Sequence, residues 1–289
     1  SATYDDHQCS SYDVEACSWS NIPDEDFALA DDNHWTIGQF VWTGFDYLGE
    51  PSPYDTNAWP NHSSMFGIID LASIPKDRYY LYRSVWNKKA ETLHILPHWT
   101  WPGREGKVTP VFVYTNHPTA ELFINGKSYG KQSKNNSSLK NRYRLMWIDA
   151  VYEPGEIKVV AYNKDGKAVA EKIVRTAGKP HHIELVSNRN ELTADGKDLA
   201  YITVKVVDKD GNLCPADSRQ INFSVKGAGK YRAAANGDPT NLEQFHLPKM
   251  HTFNGMLTAI VQSGETAGEI VLTAKASGVK AGNIRIQTK

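Results

Sequence analysis

From about residue 92 to the C-terminus, apolar side chains recur at every second position in short runs separated by turn residues. That period belongs to half-buried strands and excludes a helical bundle for most of the chain. Val108 to Tyr114, Ala120 to Ile124, Lys127 to Tyr129, Arg142 to Val151, Ile157 to Tyr162 and Ala168 to Arg175 predict an antiparallel sandwich of about seven strands over 96–178. Asn125-Gly126 is the hairpin signal within it, and Asn163 to Gly166 a second turn. Gly178-Lys179-Pro180 reads as a linker. The pattern then restarts over 179–289 with Ile183 to Val186, Tyr201 to Val207, Ile221 to Val225, Met256 to Val261, Glu269 to Ala274 and Ile284 to Gln287. Both halves have the strand spacing of Ig-like sandwiches. Asp208 to Gly211 glances at a calcium loop, but its glycine falls too early and Arg219 stands where a bidentate Glu is needed, so a hairpin turn is expected.

The first 95 residues follow a different grammar. They carry 15 acidic and 5 basic side chains, against 18 and 27 in the remainder, and hold five of the eight Trp. So acidic a surface repels phosphates, and the basic part has no Lys/Arg run, so nucleic acid is not an expected partner. No apolar run reaches the 18 or so residues needed to span a bilayer, so no membrane partner is expected either. Pro23 followed by Asp24, Glu25 and Asp26 predicts a helix over 23–32, because the first turn favours both proline and anions. Asp77 to Asn87 reads as a second helix. Between them, Ile37 to Trp42 is a mostly apolar run that reads as a strand covered on both faces. Such a strand asks for parallel neighbours, and one strand with two helices is not a domain.

Thr43 to Pro75 is a long loop, and loops of that length in compact domains are usually functional. Trp42 at the strand's end, with Asp46, Glu50 and Tyr54 in the loop, suits a carbohydrate. An indole covers the weakly polar C–H face of a pyranose, and carboxylates accept hydrogen bonds from its hydroxyls. The plainer reading has Trp42 filling a core and Asp46 closing a turn. The sequence holds no nucleophile elbow, zinc-protease, P-loop or dinucleotide motif, and neither a metal nor a cofactor is expected. Cys9 and Cys17 either close a short loop in an oxidising compartment or stay free thiols, as Cys214 would.

Phe40 to Asp46 resembles the F-x-W-x-x-x-D element that closes the barrel of glycoside hydrolase family 2, the β-galactosidase family. Gln8 to Asp13, Phe66 to Asp70 and Pro75 to Tyr80 are similar to its flanks. Val113 to Asn116 with Glu121 to Lys127 resembles the sandwich that follows the barrel, and Asn236 to Thr240 with Phe253 to Gly255 a further Ig-like module. The resemblance implies a mainly β fold: the last α/β portion of a (β/α)8 barrel over 1–95, then the two Ig-like sandwiches. It also implies a retaining exo-glycosidase, whose two catalytic Glu sit about 5–5.5 Å apart. Both are expected upstream of Ser1, because the Asp-Val-Glu-Ala context of Glu15 does not match the family's Ser-Glu element. This chain would then hold one wall of the sugar site, with Trp42, Asp46, Glu50 and Tyr54 as substrate-binding residues and no catalytic residue. Its partners would be a carbohydrate substrate and the upstream barrel and sugar-binding domains, with a homo-oligomer left open and a periplasmic or secreted home. The rival expectation is a carbohydrate-binding or structural Ig-like module, which exposed aromatics on a sandwich face would favour.

Overall fold

The computed structural model describes residues 10–52 and 59–289. Contacts divide it into two compact units. The first comprises 10–52, Ser63–Ile69 and Pro75–Thr176, and the second Trp59–His62, Asp70–Ile74 and Ala177–Lys289. The chain is mainly β, with several antiparallel sheets and few helices.

In the first unit, α1 (Pro23–Asp32) and α2 (Asp77–Trp86) precede seven strands. These are β1 (Leu93–Leu96), β2 (Val111–Thr115), β3 (Thr119–Ile124), β4 (Lys127–Ser133), β5 (Leu145–Trp147), β6 (Glu156–Tyr162) and β7 (Ala168–Arg175), with a short α3 (Leu139–Tyr143) before β5. One sheet runs β1-β2-β5 and the other β4-β3-β6-β7. Along β3 and β6 every second residue is buried, so Leu122, Ile124, Ile157 and Val159 enter a core shared with Val113 and Trp147. β2 is buried on both faces and reads as an unbroken apolar run for that reason. Val111 and Val113 face the sandwich core, while Phe112 and Tyr114 join a second cluster with Phe27 of α1 and Leu81 of α2. Asn125 and Gly126 turn the β3–β4 hairpin with φ of 49° and 81°.

Two expectations need correction here. Arg142 to Val151 is not one strand: Ser138 caps α3 by accepting from Asn141 N at 3.1 Å, and only Leu145–Trp147 is extended. Arg144 is instead drawn inward, onto Asp24. Ile37 to Trp42 is not a strand either, and no barrel portion is evident among the described residues. A buried parallel strand needs a neighbour on each edge, and this run has none there. Ile37 and Phe40 therefore stand in solvent, at 106% and 103% relative exposure, while Val41 packs against the cluster of Phe27 and Leu81.

The second unit is a sandwich of nine strands. They are β8 (His182–Ser187), β9 (Glu191–Leu192), β10 (Leu199–Val207), β11 (Gln220–Gly227), β12 (Gly229–Ala235), β13 (Lys249–His251), β14 (Met256–Ser263), β15 (Gly268–Lys275) and β16 (Gly282–Thr288). The sheets run β12-β14-β10-β8 and β13-β11-β15-β16-β9 around Ile202, Val204, Leu257, Leu272 and Ile286. Asp208 makes the expected turn, its carboxylate accepting from Asp210 N, Asn212 N and Gly178 N at 2.8–2.9 Å.

The Asn236-to-Thr240 motif also gains a role inside this unit. Asp70 folds a tight turn by accepting from Ala72 N and Ile74 N at 2.8 and 2.9 Å. The Ala72 carbonyl then receives the Thr258 hydroxyl at 2.6 Å, with both residues buried. Gly237 lies against the Asp70 carboxylate, where a Cβ would collide, and His62 N donates to Pro239 O at 3.1 Å.

Candidate functional site

In the first unit, residues 43–48 and 63–69 zip together through backbone bonds. Ile68 N donates to Thr43 O, Ile69 N to Gly44 O, Asp46 N to Ile69 O and Ser64 N to Tyr47 O, all at 2.9–3.0 Å. Gly67 is required at the centre, because a Cβ there would overlap the backbone of Phe45, Asp46 and Ile69.

This zipper decides where each expected site residue points. Asp46 is buried and turned inward, its carboxylate accepting from Gly67 N at 2.8 Å and pairing with Lys76 Nζ at 2.6 Å. Burial raises its pKa above the usual carboxylate value, against the opposing pull of Lys76 and of the Gly67 hydrogen bond. Trp42 is 73% exposed and meets the Tyr47 ring edge-on, with centroids 6.4 Å apart and planes at 84°. Tyr47 donates its hydroxyl to the exposed Glu50 carboxylate, and that bond, with some desolvation, raises the phenol's pKa. Tyr54 lies outside the described residues, as does Cys9, while Cys17 and the buried Cys214 are free thiols.

Trp42, Tyr47 and Glu50 are thus linked at the surface, whereas Asp46 anchors the loop beneath them. Two aromatic faces at right angles with a carboxylate alongside can cover one face of a sugar ring and accept hydrogen bonds from its hydroxyls. Tyr47 was not singled out by the sequence, although its place three residues before Glu50 was the available signal. Lys76 was invisible as the partner of Asp46, since nothing local joins positions 30 apart.

Comparison with known proteins bears on both units. The family profile "Glycoside hydrolase family 2 C-terminal domain 5" matches residues 183–285, and a "Domain of unknown function (DUF4982)" matches 106–170. The chain is 43% identical to "Beta-galactosidase BoGH2A" of Bacteroides ovatus over 97% of its own length and 32% of that protein's. It is 34% identical to a "Putative beta-glucuronidase" of Formosa agariphila, over 86% of itself and 24% of the relative. Among solved structures, a β-glycosidase from Bacteroides vulgatus superposes with a TM-score of 0.87 at 34% identity, covering 97% of this chain and 34% of that one. A glycosyl hydrolase family 2 member from Bacteroides cellulosilyticus gives 0.80 at 32% identity, over 90% and 37%. The chain therefore spans between a quarter and two fifths of the length of these proteins.

Proposed function

Because the chain belongs to the C-terminal region of the β-galactosidase-like members of glycoside hydrolase family 2, we propose that it supplies one wall of the sugar site of a retaining exo-glycosidase. The enzyme would remove terminal β-linked sugars with an acid/base Glu and a nucleophile Glu that lie upstream of this chain. The observation that carries the reading is the exposed Trp42–Tyr47–Glu50 group at the end of an uncovered apolar run. Upstream barrel strands would cover Ile37 and Phe40, pair the backbone of 37–42 as the last barrel strand, and leave the Trp42 indole facing the sugar. In this reading Trp42, Glu50 and Tyr54 border the substrate, and Asp46 acts by holding the loop. The two sandwiches are accessory, and a periplasmic or secreted setting suits an enzyme acting on external carbohydrate.

The test is turnover of nitrophenyl glycosides. The isolated chain should give none, and in the intact enzyme Trp42→Ala should lower kcat/KM by roughly 100-fold, about 3 kcal/mol of transition-state binding. Turnover by the isolated chain that Glu15→Gln abolishes would overturn the reading. Running β-galactoside beside β-glucuronide decides the sugar, since relatives of both names are similar to this chain.

A further inference from the structure

The outward face of β8, β10 and β14 in the second unit carries an open groove of about 380 Å³. Its floor is one cross-strand row, with Val186 opposite Thr203 and Thr203 opposite Thr258. Two residues back along β10, on the same face, stands Tyr201, 40% exposed. Asn188 is fixed beside it: Tyr201 N donates to Asn188 Oδ1 at 2.9 Å, and Asn188 N to Tyr201 O at 3.0 Å. Ser187 and Ser73 complete the margin.

The chemistry of this lining is selective. No carboxylate, ammonium or guanidinium borders the groove among the described residues, so it offers no opposite charge to a phosphate, a carboxylate or a cation. The Thr258 hydroxyl is already given to Ala72 O. The Asn188 Nδ2 amide, the Thr203 hydroxyl and the Tyr201 hydroxyl have no partner among the described residues and are free to bond a ligand. The remaining features are an aromatic ring, one aliphatic side chain and a set of neutral hydroxyl and amide groups. A pyranose matches that set, with C–H bonds on its faces and hydroxyls around its rim. The volume lies near the lower end of the ~300–1,000 Å³ range of small-molecule sites.

We infer that this face of the second sandwich is a binding subsite for a neutral oligosaccharide, with Tyr201 as the stacking platform and Asn188 and Thr203 as the hydrogen-bonding rim. The inference uses none of Trp42, Asp46, Tyr47, Glu50 and Tyr54 and stands whether or not the glycosidase reading does. One aromatic platform on an open surface gives weak binding, with Kd near ~1 mM, so the subsite holds a polymer in place rather than sequestering a free sugar.

The test is affinity electrophoresis of the 289-residue chain through native gels containing arabinogalactan, xylan, mixed-linkage β-glucan or polygalacturonate. At least one neutral polysaccharide should retard the chain, and the acidic one should not. Tyr201→Ala should weaken the retarding interaction roughly tenfold, and Tyr201→Phe should keep it. Asn188→Leu serves as a second variant should Tyr201→Ala melt early. Failure of all three neutral gels to retard the chain overturns the proposal. So does retardation that survives both Tyr201→Ala and Asn188→Leu, or that follows polygalacturonate. Retardation lost in Trp42→Ala and unchanged in Tyr201→Ala assigns binding to the loop and likewise overturns it.

Discussion

Asp24 and Arg144, 120 positions apart in the chain, form a two-pronged ion pair with both side chains wholly out of solvent. A third nitrogen, Arg144 Nη1, donates to Tyr12 O at 2.7 Å. The pair joins α1 to the start of β5. Replacing Arg144 by Met strands a buried carboxylate and should cost about 3–5 kcal/mol, whereas Asp24→Leu with Arg144→Met together should recover most of it. Urea denaturation of the four species measures this as a double-mutant cycle. A double variant as unstable as the single one would refute it.

Asp46 and Lys76 make the equivalent tie for the loop. Asp46→Ala removes the acceptor of Gly67 N as well as the partner of Lys76, and should loosen the pairing of 43–48 with 63–69 by about 1–3 kcal/mol. Asp46→Asn keeps an acceptor for Gly67 and should lose less. Hydrogen exchange at the Gly67, Ile68 and Ile69 amides distinguishes them, with faster exchange expected in the order wild type, Asn, Ala. Equal protection in all three would count against a tethering role.

The second unit should respond to acid through Asp208. Burial alone would raise its pKa, but hydrogen bonds from Gly178, Asn212 and Asp210 outweigh that and hold it at about 2. A folded-state pKa below the unfolded value gives stability that is present above about pH 4 and lost as pH falls towards 2. The contribution is about 2 kcal/mol. Melting of wild type and Asp208→Asn between pH 2 and 6 checks it: the gap between them should close at the acid end. A constant gap would exclude linkage to this carboxylate.

Gly237→Val should disturb a specific place. The added atoms meet the Asp70 carboxylate, which cannot swing away without releasing Ala72 N and Ile74 N. The expected cost is about 1–3 kcal/mol. It should show as faster exchange at Ala72 and Ile74, with protection kept in β10 and β14. Unchanged exchange at those two amides would remove the proposed fit between Gly237 and Asp70.

What the sequence disclosed depended on the range of the forces involved. α1 was legible because Pro23 and three acidic residues are local signals, and it spans the predicted Pro23–Asp32. Asp24 nevertheless serves Arg144 rather than only the helix dipole, which no local pattern could announce. The alternating strands β3, β6 and β10 were readable because one face of each is buried. β1 was missed because Leu93–Leu96 is four residues long and abuts Pro97. β12 was missed because its Gly- and Ala-rich stretch gives no alternation. Ile37 to Trp42 misled for the opposite reason: its apolar content is real, but a strand exists only with partners. At the site, the loop was legible, and so was Asp46 as the residue closing a turn in it, whereas its partner Lys76 was not.

The division of the molecule has a practical bearing on anyone cutting it apart. Trp59–His62 and Asp70–Ile74 are synthesised more than a hundred positions before the strands they join, so a clone opened at Ala177 yields a sandwich deprived of two of its own pieces. Such a product would bare the Thr258 hydroxyl and the hollow filled by Ala72. Excision boundaries here should follow the fold's membership rather than the linker, or the missing peptides should be supplied in trans.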